Sequence, residues 1–237
     1  MHSPFVFDLV TKCFYDKTKF PEYQTLKDYR NSLLVNKNTI EVTDFGAGSR
    51  VFKSNIRQIA KIAQTAGISP KRAELLFRIV NYFQPTEILE IGTSLGLATS
   101  ALSLGNKNGK ITTLEGCPNT MSIAKNQYQL QNLNNIEFIN TEFSSYLKKL
   151  PTSSFQLIYF DGNHSQKATL EYFELLLPTI TNDSVWIFDD IHWSAEMENT
   201  WEIIKKHPKV KVTIDTFQWG IVFFRAEQEK EHFVIRV

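Results

Sequence analysis

The chain has 237 residues, room for one large α/β domain or for a domain of ordinary size with an added helical segment, but not for two full domains. Its 26 Lys and Arg against 25 Asp and Glu leave a net charge of +1, which removes any chain-wide electrostatic reason to bind nucleic acid or an anionic membrane. With 42% hydrophobic residues and 18 Phe there is ample material for a packed core, and the only two cysteines, Cys13 and Cys117, lie too far apart for a zinc or redox motif.

The opening MHSPFVFDLV lacks a basic stretch and is interrupted by Asp8, so no cleaved leader is expected, and no apolar run reaches the roughly 18 residues of a membrane span. A folded, cytoplasmic protein is the expectation. Residues 1–84 read as mainly helical: a first helix over 5–15, a mobile polar stretch through Lys37, then helices over 55–66 and 70–83. In the last, Ala73, Leu76, Phe77, Val80 and Phe83 recur at the spacing of one buried face, with Ser69 suited to cap it and Pro70 to its first turn. The apolar residues Phe5, Val6, Phe7 and Leu9 could dock on a second copy and make a homodimer. The string VTDFGAGSR, with Asp44, Gly46 and Gly48, imitates a nucleotide loop, yet no strand with an acidic end follows it. It reads as a loop or lid, and Arg50, Lys53 and Arg57 nearby could meet an acidic substrate or simply be solvated.

After Pro85 the pattern changes to short apolar runs, each followed by a polar loop and a helix. Strands are predicted over 87–91, 110–115, 136–140, 156–161 and 184–189, and helices over 98–104, 121–131, 143–150, 166–177 and 195–206. Continuous apolar strands interleaved with amphipathic helices imply a parallel sheet covered on both faces. Two last runs, 209–217 and 220–225, are joined by Gln218-Trp219 alone and must form an antiparallel hairpin. The expected architecture is α/β: a doubly wound, mostly parallel seven-stranded sheet over 85–237 closed by that hairpin, preceded by a helical segment over 1–84 that serves as a substrate lid or in oligomerisation.

In an open α/β sheet the ligand crevice lies beyond the carboxyl ends of the strands, so the residues leaving each strand carry the most weight. In ILEIGTSLGLATSALSL a strand runs through Gly92, Thr93, Ser94 and Gly96 into a helix. Glycine permits the sharp turn and the close approach of a ligand, and the helix start offers unpaired N–H groups. Two glycines four apart, with no third, argue against a pyrophosphate cradle and for a smaller ligand. About 20 residues on, a strand ends at Glu115, where a carboxylate can accept hydrogen bonds from both hydroxyls of a ribose. Glu142 and Phe143, after the next strand, could meet the edge and face of an adenine, or Glu142 could cap a helix.

The last two strand ends belong together. LIYFDGNH ends a strand at Asp161 with His164 three residues on, and VWIFDDIHW ends another with Asp189, Asp190 and then His192. Three carboxylates at adjacent strand ends repel one another unless a cation or ligand compensates, and hard oxygen ligands suit Mg²⁺ or Ca²⁺. Alternatively Asp189 caps the next helix and Asp190 pairs with an arginine.

These motifs, over roughly three-fifths of the chain from Pro85 to Arg225, resemble the Rossmann-like class I S-adenosylmethionine-dependent methyltransferases, in particular the catechol and caffeoyl-CoA O-methyltransferase-like branch. The resemblance implies S-adenosylmethionine as cofactor. Glu90, the acid at the end of the first strand, together with Gly92, Thr93, Ser94 and Gly96 would hold its methionine part, Glu115 its ribose, and Asp161 would flank it. It also implies a metal ion on Asp161, Asp189 and Asp190. The branch places a catalytic lysine where this chain has His164, a departure that suits a histidine acting as general base near neutral pH. The implied reaction is methylation of a hydroxyl on a small-molecule acceptor, with Asp161 and His164 at the reacting centre. Alternatives are a metal-independent small-molecule methyltransferase using His164 or His192, or a cofactor-binding scaffold without turnover. The acceptor pocket is expected from the N-terminal helices and the loops after Asp161 and Asp190, including Trp193 and Trp219.

Overall fold

A computed structural model describes residues 3–43, 52–150 and 155–237. Residues 44–50 of the glycine-containing string, with Asp44, Gly46, Gly48 and Arg50, therefore lie outside the described residues. In chain order the elements are α1 (Pro4–Leu9) running into a π-helical turn (Val10–Phe14), α2 (Glu22–Leu34), β1 (Thr39–Glu41), β2 (Ile56–Gln58), α3 (Ile59–Thr65) and α4 (Pro70–Phe83). There follow β3 (Glu87–Ile91), α5 (Leu97–Gly105), β4 (Lys110–Glu115), α6 (Pro118–Leu130), β5 (Ile136–Asn140), α7 (Phe143–Leu147), β6 (Leu157–Phe160) and α8 (Gln166–Leu176). The chain ends with β7 (Val185–Asp189), α9 (Ala195–Lys206), β8 (Val212–Asp215), β9 (Trp219–Phe223) and β10 (Glu231–Val234).

The main sheet has the order β10-β8-β9-β7-β6-β3-β4-β5, one strand more than the seven expected. β9 runs antiparallel to both neighbours, as the predicted hairpin requires, and the other strands are parallel. The additional strand, β10, pairs in parallel with β8. Side chains alternate across the sheet, so Ile88 joins one apolar layer and Leu89 and Ile91 the other. One layer is completed by α8 and α9 through Phe173, Leu176, Trp201 and Ile204. The other is completed by α4 and α5 together with α1 and α2. Chain order reverses between β3 and β6, the switch point where the crevice of such a sheet opens.

The N-terminal segment packs onto this sheet. Val6 and Leu9 are fully buried in the chain's own core and Phe5 packs edge-on against Phe223, so of the apolar residues considered for docking a second copy Phe7 is the exposed one. Residues 22–34, read as part of a mobile stretch, instead form α2. Its Leu26, Tyr29 and Leu33 recur at helical spacing and are buried, Tyr29 completely. The predicted helix over 55–66 begins as β2, which pairs antiparallel with β1, and becomes helical from Ile59. α4 has the expected bounds and caps: the Ser69 hydroxyl accepts from the Arg72 N–H at 3.4 Å, and Pro70 occupies the first turn.

Candidate active site

A cleft of about 530 Å³ opens at the switch point, over the carboxyl ends of β3, β4, β6 and β7, within the roughly 300–1,000 Å³ of small-molecule sites. Its floor includes Gly92, Ser94 and Glu115, and one end carries Asp161, His164, Asp189, Asp190 and Trp193. The opposite wall comes from the N-terminal segment, with Val42, Thr43, Arg57, Ile68 and Arg72.

The glycine loop is fixed by its neighbours. The N–H groups of Gly92 and Thr93 both donate to the Leu114 carbonyl, and Gly92 adopts φ +107°. A Cβ there would lie 2.4 Å from the Asp161 carbonyl oxygen, so this glycine keeps open the closest approach of the two strand ends. Gly96 serves a different purpose. A side chain there would meet Tyr29 Oη at 2.6 Å and the Tyr128 ring at 2.9 Å, so its space is filled by tyrosines rather than left to a ligand. Tyr29 donates to the Leu95 carbonyl at 2.7 Å and Tyr128 to the Gly96 carbonyl, clamping the loop from the side away from the cleft.

Glu115 ends β4 with one carboxylate oxygen accepting from the Ser94 N–H at 2.7 Å and the other from the Cys117 N–H at 2.8 Å. Burial raises its pKa against those two donors, and each oxygen retains capacity for a further donor from the cleft. Glu90 and Thr93 are buried beneath the loop instead of lining the cleft. Glu90 Oε2 accepts from the Thr99 and Thr113 hydroxyls, each at 2.5 Å, and Thr93 shares a 2.6 Å hydrogen bond with Thr113. Glu142 lines the cleft while capping α7: its carboxylate accepts from the Ser144 and Ser145 N–H groups at 2.9 and 2.7 Å, which lowers its pKa. Phe143 borders the cleft beside Gly162, with its ring packed against Tyr172.

The pairing of Phe160 with Phe188 sets Asp161 beside Asp189 at adjacent strand ends, the juxtaposition read from the sequence. Asp190 follows in a left-handed conformation, φ +55°. His164 Nε2 stands 3.6 Å from Asp161 and 3.9 Å from Asp190, with its ring 6.2 Å from that of Trp193. Burial, then the charge of Asp189, pushes Asp161 well above the usual carboxylate range, and the same two causes raise Asp190. His192 turns away, its Nε2 2.9 Å from Asp215 and its ring stacked on Phe217.

The residue that sequence reasoning missed is Arg72, in the first turn of α4. Its guanidinium bonds Asp189 Oδ1 and lies over the ring of Trp219 at 5.0 Å. Asp189 Oδ1 also accepts from the Asp190 N–H, at 2.8 Å, and Oδ2 accepts from the Tyr159 hydroxyl at 3.0 Å. The expected aromatic pocket wall divides accordingly: Trp193 lines the cleft, while Trp219 is buried beneath Arg72. This donor set does not fit the expected divalent ion, because both oxygens of Asp189 are committed to protein donors, one of which is already a cation, the Arg72 guanidinium. Among the described residues no group of three His, Cys, Asp or Glu side chains is arranged to hold a metal.

Residues 89–191, a little under half of the chain, match the family model described as a methyltransferase domain. No curated protein matches the chain by sequence. Solved structures share the fold at low identity. The S-adenosylhomocysteine-bound methyltransferase PaMTH1 of Podospora anserina superposes with a TM-score of 0.65 at 13% identity, over 94% of this chain and 97% of that one. The O-methyltransferase of Bacillus cereus in complex with S-adenosylhomocysteine gives 0.60 at 18% identity, over 92% and 96%. TomG of Streptomyces achromogenes, an O-methyltransferase of tomaymycin synthesis bound to S-adenosylmethionine, gives 0.61 at 14% identity, over 92% and 94%. Residues 89–191 thus match a methyltransferase domain, on a fold shared with S-adenosylmethionine- and S-adenosylhomocysteine-bound methyltransferases.

Proposed function

We propose that this chain transfers the methyl group of S-adenosylmethionine to a hydroxyl of a small-molecule acceptor. The observation that carries the reading is the joining of Glu115 to the glycine loop, through the Ser94 N–H, in the same cleft as Asp161 and His164. S-adenosylmethionine supplies an electrophilic methyl group on a sulfonium. In this reading Glu115 accepts the ribose hydroxyls, Gly92 and Ser94 face the amino acid end, and Glu142 and Phe143 border the adenine. Asp161 stands where the two halves of the cleft meet. His164 takes the acceptor's hydroxyl proton on Nε2, with Asp190 at 3.9 Å close enough to favour the imidazolium that results. Most of the rate comes from holding acceptor and donor in line and keeping water out, since the sulfonium is already a reactive donor.

The pairing of Asp189 with Arg72 favours transfer without a divalent ion. Among the described residues no helix is long and apolar enough to cross a membrane. Residues 1–84 are proposed to act as the wall and lid of the acceptor site, as the placement of Thr43, Arg57 and Arg72 on the cleft supports.

The test is to incubate the full chain with S-adenosylmethionine and a panel of phenolic, sugar and hydroxy-acid acceptors, following S-adenosylhomocysteine release and product mass. A product heavier by one methyl on oxygen is expected. Calorimetric binding of S-adenosylhomocysteine with no turnover on any acceptor would favour a scaffold, and no binding at all would refute the cofactor assignment.

A further inference from the structure

We infer that Arg72 is the chain's own acceptor-side cation, contacting the acceptor oxygen in the place where a divalent ion was expected. The inference rests on the methyl-transfer reading above and adds a catalytic group to it. Arg72 is built in, not a surface arginine that happens to lie near. Its backbone N–H is tied to Ser69 at the start of α4, and its guanidinium is held between Asp189 and the ring of Trp219. Those supports are themselves supported, since Trp219 is 1% exposed and packs edge-on against Tyr159, whose hydroxyl donates to Asp189. Arg72 lines the cleft, and its Nε is buried without a hydrogen-bond partner.

Burial alone would lower the pKa of Arg72, but Asp189, Tyr159, Asp161 and Asp190 outweigh it and raise it, so the guanidinium keeps its charge throughout the working range of pH. A divalent ion on Asp189 would have to displace it and leave a guanidinium without its counter-ion in a site 18% exposed. Guanidinium and metal are therefore competitors for one carboxylate, and the chain carries one of them covalently.

The chemistry balances without a metal. The acceptor O–H bond breaks with its proton going to His164 Nε2, the oxygen electron pair forms the new bond to the methyl carbon, and the C–S bond breaks with its pair retained by sulfur. As negative charge gathers on the acceptor oxygen ahead of that bond, a fixed guanidinium N–H stabilises it.

The experiment titrates Mn²⁺ into the full chain with S-adenosylhomocysteine present, reading free Mn²⁺ by electron paramagnetic resonance, for wild type, Arg72→Met and Arg72→Lys. Calorimetry of S-adenosylhomocysteine binding reports whether each variant keeps its cofactor side. Wild type is expected to show no saturable Mn²⁺ binding at micromolar concentrations, and its turnover to survive chelation. Arg72→Met, with Asp189 released, should bind Mn²⁺ about tenfold tighter or more than wild type. With an acceptor from the panel its turnover should fall roughly 100-fold or more at unchanged S-adenosylhomocysteine affinity, while Arg72→Lys recovers part of the loss. One Mn²⁺ per wild-type chain at micromolar concentration, or wild-type turnover in Arg72→Met, overturns the inference. Should Arg72→Met fail to fold, the wild-type titration decides alone. Failure of wild type to bind S-adenosylhomocysteine would instead fall on the methyl-transfer reading.

Discussion

Glu90 offers a test of the loop's foundations that needs no substrate. It is fully buried, accepts from two threonine hydroxyls on one oxygen, and has no partner on the other. Burial pushes its pKa from 4.5 to about 8, the two hydroxyls opposing the rise and the charge of Glu115 adding to it. The folded protein therefore keeps Glu90 protonated at neutral pH, whereas the unfolded chain releases that proton above its ordinary pKa. Stability linked to this group is fully present below pH 4.5, declines as pH rises, and levels off once pH has passed through about 8. At about 1.4 kcal/mol per pKa unit, the decline is on the order of 5 kcal/mol across the window. Glu90→Gln keeps the shape and an acceptor for both hydroxyls but cannot titrate. Its buried amide adds a fixed cost of about 1–3 kcal/mol that does not vary with pH, so the slope and not the offset carries the information. Urea unfolding of wild type and Glu90→Gln at pH 5, 6, 7 and 8 should show the variant gaining steadily on wild type by several kcal/mol, with unchanged affinity for S-adenosylhomocysteine. A difference that stays flat or runs the other way would refute a protonated Glu90 beneath the loop.

Gly92→Ala places a Cβ 2.4 Å from the Asp161 carbonyl oxygen at φ +107°, so it should cost about 1–3 kcal/mol of stability and weaken S-adenosylhomocysteine binding together, read by thermal unfolding and calorimetry. Glu115→Gln retains one acceptor oxygen for two N–H donors, and replaces the other with an amide that faces one of them. Calorimetry should show S-adenosylhomocysteine affinity falling roughly 10–100-fold, the loss of a charge-assisted hydrogen bond. His164→Gln should bind S-adenosylhomocysteine as wild type does while turnover falls about 10²–10⁴-fold; wild-type rates would remove His164 from the reaction.

The parts of the molecule readable in advance are those in which sequence neighbours do the work. β3, β4 and β5 match their predicted bounds because each is a short apolar or β-branched run between turn residues, and α4 matches because its buried face and its caps agree. Strand ends then locate Asp161, Asp189 and Glu115, since position after a parallel strand is a one-dimensional property. α2 was hidden because its buried residues Leu26, Tyr29 and Leu33 are diluted by charged and amide neighbours, and β10 because its four residues begin on the last Glu of the charged run EQEKE and resemble loop. Gly96 shows a subtler limit: spacing reveals that a glycine keeps space clear, but not whether a ligand or Tyr29 and Tyr128 use that space.

Arg72 is the instructive omission. Three converging aspartates announce a missing positive charge, yet nothing in their own segment says whether an ion or a side chain supplies it. The answer comes from a helix start 117 residues away, next to Ala73, on a segment whose periodicity spoke only of core. Repulsion is legible from the residues that repel, whereas its compensation depends on which surface folds over them. A family pattern of acids therefore transfers more safely than the counter-charge that accompanies it, and a basic residue at the lip of a packed N-terminal helix is where an alternative counter-charge should be sought.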